Sequence, residues 1–235
     1  NRTGMKLLAF ETATEACSVA LYLDGEIIER YEVARRLHAE YALPWAEALL
    51  AEAGIRRSQL DVIAISRGPG AFTGVRLAIA IAQGIALALD KPVVAVSTLQ
   101  VIAAQSSAQR ILAAIDARMG EVYVGAFERH GDGLVAASTE IVCAPQAVTL
   151  PDDAGAWHAL GTGFGAMEGA LVQHLGDHLA SIDASVLPHA ADVARLAVDA
   201  YARGEASAPE RIEPAYLRNN VALTLEEQRA LRAAR

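Results

Sequence analysis

One stretch limits what this chain can fold into more than any other: Val62 to Leu89, VIAISRGPGAFTGVRLAIAIAQGIALAL. Its first residues read as a short apolar strand. Gly68, Pro69, Gly70, Thr73 and Gly74 then form a turn whose backbone can take conformations closed to other residues. From Leu77 to Leu89 the only polar side chain is that of Gln83. Large and small residues alternate here and imitate a strand, but the run is too long for one, and its alanines favour a helix. Strand, glycine turn and helix together make a unit of an α/β protein. A helix this apolar needs cover on more than one face.

The turn invites an anion, because backbone N–H groups stand free at the start of a helix. Its spacing fits neither familiar phosphate loop. Val75 and Arg76 follow Gly74 where a P-loop has Lys and Ser or Thr, and three residues separate Gly70 from Gly74 where the dinucleotide fingerprint has two. Two readings stay open: a turn built for strand–helix packing, and an anion site in which Arg76 answers the charge.

The rest of the chain surrounds this unit. Lys6 to Glu11, Cys17 to Leu23 and Glu26 to Val33 read as an antiparallel meander, with Asp24-Gly25 as the hairpin turn. A helix lies in His38 to Ala53, ended by Gly54; Pro44 either starts it or kinks it. Pro92 to Val96 is a strand leading to a short helix capped by Ser97. The second half repeats the order. Ile111 to Asp116, Glu121 to Glu128 and Leu134 to Val142 form a meander; Trp157 to Leu160, the glycine turn 161–165 and a helix to Leu175 follow. The expectation is α/β, with two lobes of one βββαβα design. Residues 5–104 form the first lobe and 105–187 the second, and the amphipathic helix at 188–204 is available to complete the first. Residues 1–4 read as a tag remnant, and 205–235 as a terminal segment with a charged tail after Asn220.

Composition narrows the function classes. The 235 residues are 53% hydrophobic and 5% aromatic, so the core is aliphatic. A formal charge of −8 leans against a chain that grips nucleic acid by its own electrostatics. Cys17 and Cys143 read as buried, reduced thiols. No signal peptide is evident and no apolar run is expected to reach the roughly 18 residues of a membrane span, so a cytoplasmic protein without membrane contact is expected.

Glu11 and Asp116 end equivalent strands of the two lobes. Such carboxylates either face a cleft and orient a metal-bound water, or hydrogen-bond the next turn. His174 and His178 have the i, i+4 spacing of a metal pair, yet Leu-Gly-Asp separates them and Gly176 breaks the helix; an accidental pair is the better reading. Neither a Cys/His cluster with ligand spacing nor a serine elbow occurs, and no metal site is expected. The apolar helices point elsewhere. Tyr41, Leu43, Trp45 and Leu49 on the first, with Val75, Ile79, Gln83 and Leu87 on the second, are the candidate partner interface.

At Gly68-Pro69-Gly70-Ala71-Phe72-Thr73-Gly74-Val75-Arg76 the sequence resembles the TsaB (YeaZ) family, which carries a GPGSFTGLR-like motif. FETATEACSVAL at 10–21, DARMGEVY at 116–123 and PAYLR at 214–218 match as well, so the resemblance spans Met5 to about Arg218. It implies a two-lobed actin-like/sugar-kinase type fold related to TsaD. It also implies a non-catalytic subunit in making threonylcarbamoyladenosine next to the anticodon of ANN-decoding tRNAs. Such a subunit pairs with TsaD, works with the ATPase TsaE, forms homodimers when alone, and meets tRNA only through the complex. No cofactor is expected; weak nucleotide or anion binding would involve Glu11, Thr12, Gly68, Gly70, Thr73, Gly74, Arg76 and Asp116. Two departures from active relatives favour the non-catalytic role. The first lobe lacks the His-x-x-x-His metal pair of TsaD, since Ala42 follows four residues after His38, and Glu11-Thr12-Ala13-Thr14 replaces the Asp and Gly of actin-like ATPases. The rivals are an ATPase or kinase of the same fold and, further off, a metallopeptidase.

Overall fold

The computed structural model describes residues 4–34, 36–152 and 155–218; the charged tail and the first three residues lie outside it. The first lobe starts with β1 (Lys6–Glu11), β2 (Ala16–Leu23) and β3 (Glu26–Val33). They pair antiparallel, and Asp24 and Gly25 turn between β2 and β3 at φ 54° and 106°. α1 (His38–Glu52) leads to β4 (Val62–Ser66), α2 (Phe72–Leu89) and β5 (Val93–Val96). β4 runs parallel to β1 and β5 parallel to β4, giving the order β3-β2-β1-β4-β5.

α3 (Thr98–Ala104) leads into the second lobe, its N-terminus capped by Ser97, whose Oγ accepts from Leu99 N at 3.1 Å. There β6 (Arg110–Arg118), β7 (Glu121–His130), β8 (Gly133–Ala136) and β9 (Ile141–Cys143) build the meander. β10 (Trp157–Leu160), α4 (Ala170–Leu175) and β11 (Leu179–Asp183) follow. The order is β11-β10-β6-β7-β8, with β9 also on β7, so the first sheet's pattern recurs in a two-lobed actin-like fold. The recurrence is incomplete. Among the described residues between β9 and β10, the single turn Pro145–Ala147 stands in place of a full helix, in a segment broken again by Pro151 and Gly155. α4 is also short, because Gly169 and Gly176 bound it at φ 77° and 52°.

Strand alternation decides what covers each face. In the first sheet Leu8, Phe10, Ile63 and Ile65 meet Ala42, Ala46, Leu49 and Leu50 of α1 and Val75, Ala78, Ile79, Ala82 and Ala86 of α2. Leu7, Ala9, Val62 and Ala64 point the other way, onto Ala190, Val193, Ala194 and Ala197 of α5 (Ala190–Ala202). Each enclosed Leu, Ile or Phe stabilises the fold by about 1.5–3 kcal/mol relative to exposure. The lobes exchange helices. α3 follows the first sheet yet buries Leu99, Ile102 and Ala103 against Ile111, Ala113 and Phe127 of the second, while α5 follows the second sheet and covers the first.

α2 corrects one expectation. Its 18 residues have a mean hydropathy of 1.7 and reach membrane-span length by composition. One face lies in the core between β4 and α1, and Arg76 stands in its first turns. Pro44 sits inside α1 with its ring exposed, so the lost backbone hydrogen bond falls on the outer side.

Candidate functional site

The glycine turn is filled from within. The N–H of Ala71 donates to the carbonyl of Ala13 at 2.7 Å, and Thr12 Oγ1 donates to the carbonyl of Gly74 at 2.7 Å. A Cβ on Gly70 would meet Ala13 O at 2.3 Å, and one on Gly74 would meet Thr12 O at 2.0 Å. Both glycines allow the backbone after β1 to press against the start of α2. The second lobe repeats the device: a Cβ on Gly161 would meet Ala114 O of β6 at 2.3 Å. Gly68, at φ 96°, accepts at its carbonyl from Thr98 N at 2.9 Å. Thr73 is exposed on the first turn of α2.

The two strand-end acids do the same local work. Glu11 Oε1 accepts from Ala13 N at 2.7 Å, and Asp116 Oδ1 accepts from Arg118 N at 2.8 Å, each two residues onward. Asp116 Oδ2 also pairs with Arg118 Nη1 at 2.8 Å. Glu11 has no exposed surface, and burial pushes its carboxyl up to about 7. The Ser66 hydroxyl on the neighbouring strand, the Ala13 N–H and the charge at His189 pull it partly back.

On the helices, phase separates core from surface. Leu49, Val75 and Ile79 are 2, 5 and 8% exposed and belong to the first lobe's own core, so the expectation that they face a partner is corrected. Gln83 is half-buried, and its Nε2 donates to Pro209 O at 3.0 Å. Leu43 and Leu87, 47 and 61% exposed, stand on the outer face. Tyr41 and Trp45 are half-buried and stacked, with ring centroids 4.8 Å apart. Ala80, Gly84 and Ala88 of α2 are exposed beside half-buried Leu77, Ile81 and Ile85. Between the helices opens an apolar cavity of about 290 Å³, lined by Leu43, Ala46, Leu50, Gly84, Ile85 and Ala88 among others.

Two histidines serve the backbone. His38 Nε2 lies 2.8 Å from Thr14 O, and His174 Nε2 lies 2.9 Å from Val148 O. Among the described residues no three His, Cys, Asp or Glu side chains gather as a metal site.

Several groups near the cleft escaped sequence reasoning because no local pattern marks them. Ser97 donates to Glu140, a bond across the lobes, and burial raises the Glu140 carboxyl. Both oxygens of Glu29 on β3 hold the start of α5: Oε1 accepts from Ala191 N at 3.0 Å and Oε2 faces His189 Nδ1 at 3.1 Å. Arg76 lies with its Cζ 3.8 Å over the Phe72 ring, and its Nε donates to the Tyr216 hydroxyl at 3.0 Å.

Comparison with known proteins follows the same lines. The family described as "TsaD: tRNA N6-adenosine threonylcarbamoyltransferase" matches residues 27–225. The tRNA threonylcarbamoyladenosine biosynthesis protein TsaB of Escherichia coli is 41% identical over 230 residues, covering 93% of this chain and 96% of that protein. TsaB of Haemophilus influenzae is 38% identical, covering 92% and 95%. The solved structure of YeaZ from Pseudomonas aeruginosa superposes with a TM-score of 0.85 at 46% identity, covering 91% of this chain and all of that one. On this sequence identity, extent and shared architecture, the chain belongs to the TsaB (YeaZ) family.

Proposed function

We propose that this chain takes part in threonylcarbamoyladenosine formation in tRNA as a non-catalytic subunit, docking a TsaD-type catalytic partner through the outer face of α1 and α2. The observation that carries the pathway is the match to TsaB proteins of the same length, 96% of the E. coli protein being covered. The non-catalytic role is supported by the cleft. Glu11 is enclosed and bonded to Ala13, Asp116 is bonded to Arg118, and the glycine turn is packed with backbone rather than left open for phosphate. In this reading the chain needs no resident cofactor, binds nucleotide weakly if at all, and works in the cytoplasm with a TsaE-type ATPase.

The docking face is supported by Leu43 and Ile85, which line the interhelical cavity, and by exposed Leu87 and half-buried Ile81 on α2, an apolar surface that a second pair of helices would cover. Small residues at Ala80, Gly84 and Ala88 would let a partner helix approach closely. The same face would join two copies when the partner is absent. Reconstitution tests the reading: tRNA modification with the full partner set, with and without this chain. Dependence on the chain is expected, with no modification by the chain alone. Modification by the chain alone, or failure to bind the TsaD-type partner, would overturn it.

A further inference from the structure

At the mouth of the cleft, the last described segment ties the lobes together and collects exposed cationic and aromatic side chains. Ala215 N donates to Arg67 O, just after β4, at 2.9 Å. Arg218 reaches the other lobe, where it donates to Ala117 O at 3.3 Å and pairs with Glu121. Between these anchors Tyr216 stacks with Phe72, centroids 6.3 Å apart, and Arg76 lies over the Phe72 ring. Beyond Arg218 stands the β6–β7 tip, where Arg118, Met119 and Gly120 all have positive φ and Met119 is 86% exposed.

Two features of this stack ask for an outside partner. Phe72 and Tyr216 keep 53 and 52% of their surface in solvent although the core has few aromatics to spare. Arg76 is exposed and forms no ion pair among the described residues, in a chain of formal charge −8. Arg118 and Arg218 are partly neutralised by Asp116 and Glu121, and Arg67 by nearby Glu140, whereas no carboxylate among the described residues forms an ion pair with Arg76. Half-exposed rings beside an exposed guanidinium suit unstacked bases joined by phosphates.

We propose that the Phe72–Arg76–Tyr216 stack is a contact for a single-stranded segment of RNA, with a base on the aromatic face and a phosphate on Arg76. The substrate tRNA of the pathway reading supplies such segments in its loops, and the inference rests on that reading. It places an RNA contact on the subunit that contributes no catalytic residue, next to the cleft and at the opposite end of α2 from Leu89.

The test uses the complex of the full chain with its TsaD-type partner and a transcribed, unmodified ANN-decoding tRNA. Affinity is read by fluorescence anisotropy across a salt series, pairing by size exclusion and folding by circular dichroism. Arg76→Glu and Tyr216→Ala should each weaken tRNA binding by about fivefold or more with pairing intact. Arg76→Glu should also reduce the slope of log affinity against log salt by about 1. Arg203→Glu, the same charge change at the end of α5, should leave affinity and slope unchanged. Should Arg76→Glu fail to fold, Arg76→Gln carries the same expectation. Unchanged affinity in the stack variants overturns the inference alone, as does an equal loss in Arg203→Glu. Loss of pairing overturns it too and makes the stack a protein contact. A wild-type complex that binds no tRNA overturns the pathway reading along with it.

Discussion

The carbonyl oxygen of Thr12 lies 2.0 Å from the point a Cβ on Gly74 would occupy, and the Thr12 hydroxyl donates back to the Gly74 carbonyl at 2.7 Å. The two backbones are locked at a distance that only glycine allows. Gly74→Ala must push apart β1's following loop and the start of α2, and should cost about 3 kcal/mol or more. Gly84, in the same helix, is exposed with nothing within 4 Å of its would-be Cβ. Gly84→Ala should therefore stabilise by about 0.5–1 kcal/mol through helix propensity. Thermal unfolding of both variants at one protein concentration checks the pair. Equal shifts would deny the turn its packing role.

Glu11 makes stability depend on pH in an uncommon direction. Its folded carboxyl is raised to about 7 from an ordinary value of 4.5, so the folded state holds a proton that the unfolded state has lost. The stability this group contributes is fully present below pH 4.5 and disappears as pH rises through about 7. The difference amounts to about 3 kcal/mol. Glu11→Gln mimics the neutral form, so it should match the wild type near pH 5 and exceed it at pH 8. Urea unfolding from pH 5 to 8 measures this, and parallel curves for the two proteins would refute it.

The features legible in the sequence were those set by local chemistry. Asp24-Gly25, Gly54 and Ser97 carry their conformations in their residue types, and the structure puts a turn, a helix end and a cap at those places. The rotation of α2 was not legible, because a helix apolar on nearly every side has no broad polar stripe to fix its phase. Gln83 suggested one, but its amide serves Pro209, 126 residues away in the chain. Val75 and Ile79 read as surface for that reason, and Leu49 because α1 too carries large apolar residues on more than one face. The burial of α3 in the second lobe and the stack around Tyr216 are long-range packing, which no window of sequence displays, whereas the amphipathic helix at 188–204 already offered itself to the first lobe. Glu11 and Asp116 sit in between: their equivalence was readable, but their hydrogen bonds to Ala13 and Arg118 needed the backbone trace.

The cysteines offer a test of the first lobe's rigidity. Cys17 is fully buried on β2, and burial, reinforced by Glu11 and Glu32, pushes its thiol up to about 12. Cys143 on β9 is only partly buried, with a thiol raised mainly by burial. A thiol-specific disulfide reagent at pH 8 should label Cys143 first and Cys17 only as the protein unfolds. Rapid labelling of Cys17 in native conditions would mean that β2 opens locally.

The docking face can be separated from the core by where an arginine is placed. Leu49 is 2% exposed among Leu8, Phe10 and Ile63, so Leu49→Arg buries an unpaired charge and should unfold the chain, at a cost above about 4 kcal/mol. Leu43 and Leu87 are 47 and 61% exposed, and arginine there keeps its charge wet. Leu43→Arg and Leu87→Arg should retain native circular dichroism and melting temperature. Each should weaken pairing with the TsaD-type partner by about thirtyfold or more, as loss of a central apolar anchor does. Sedimentation of the mixed proteins reads the pairing, and tRNA modification in the reconstituted system should fall with it. Wild-type pairing by both surface variants would remove α1 and α2 as the docking face, because a new arginine pressed against a partner helix without a counter-charge loses its water.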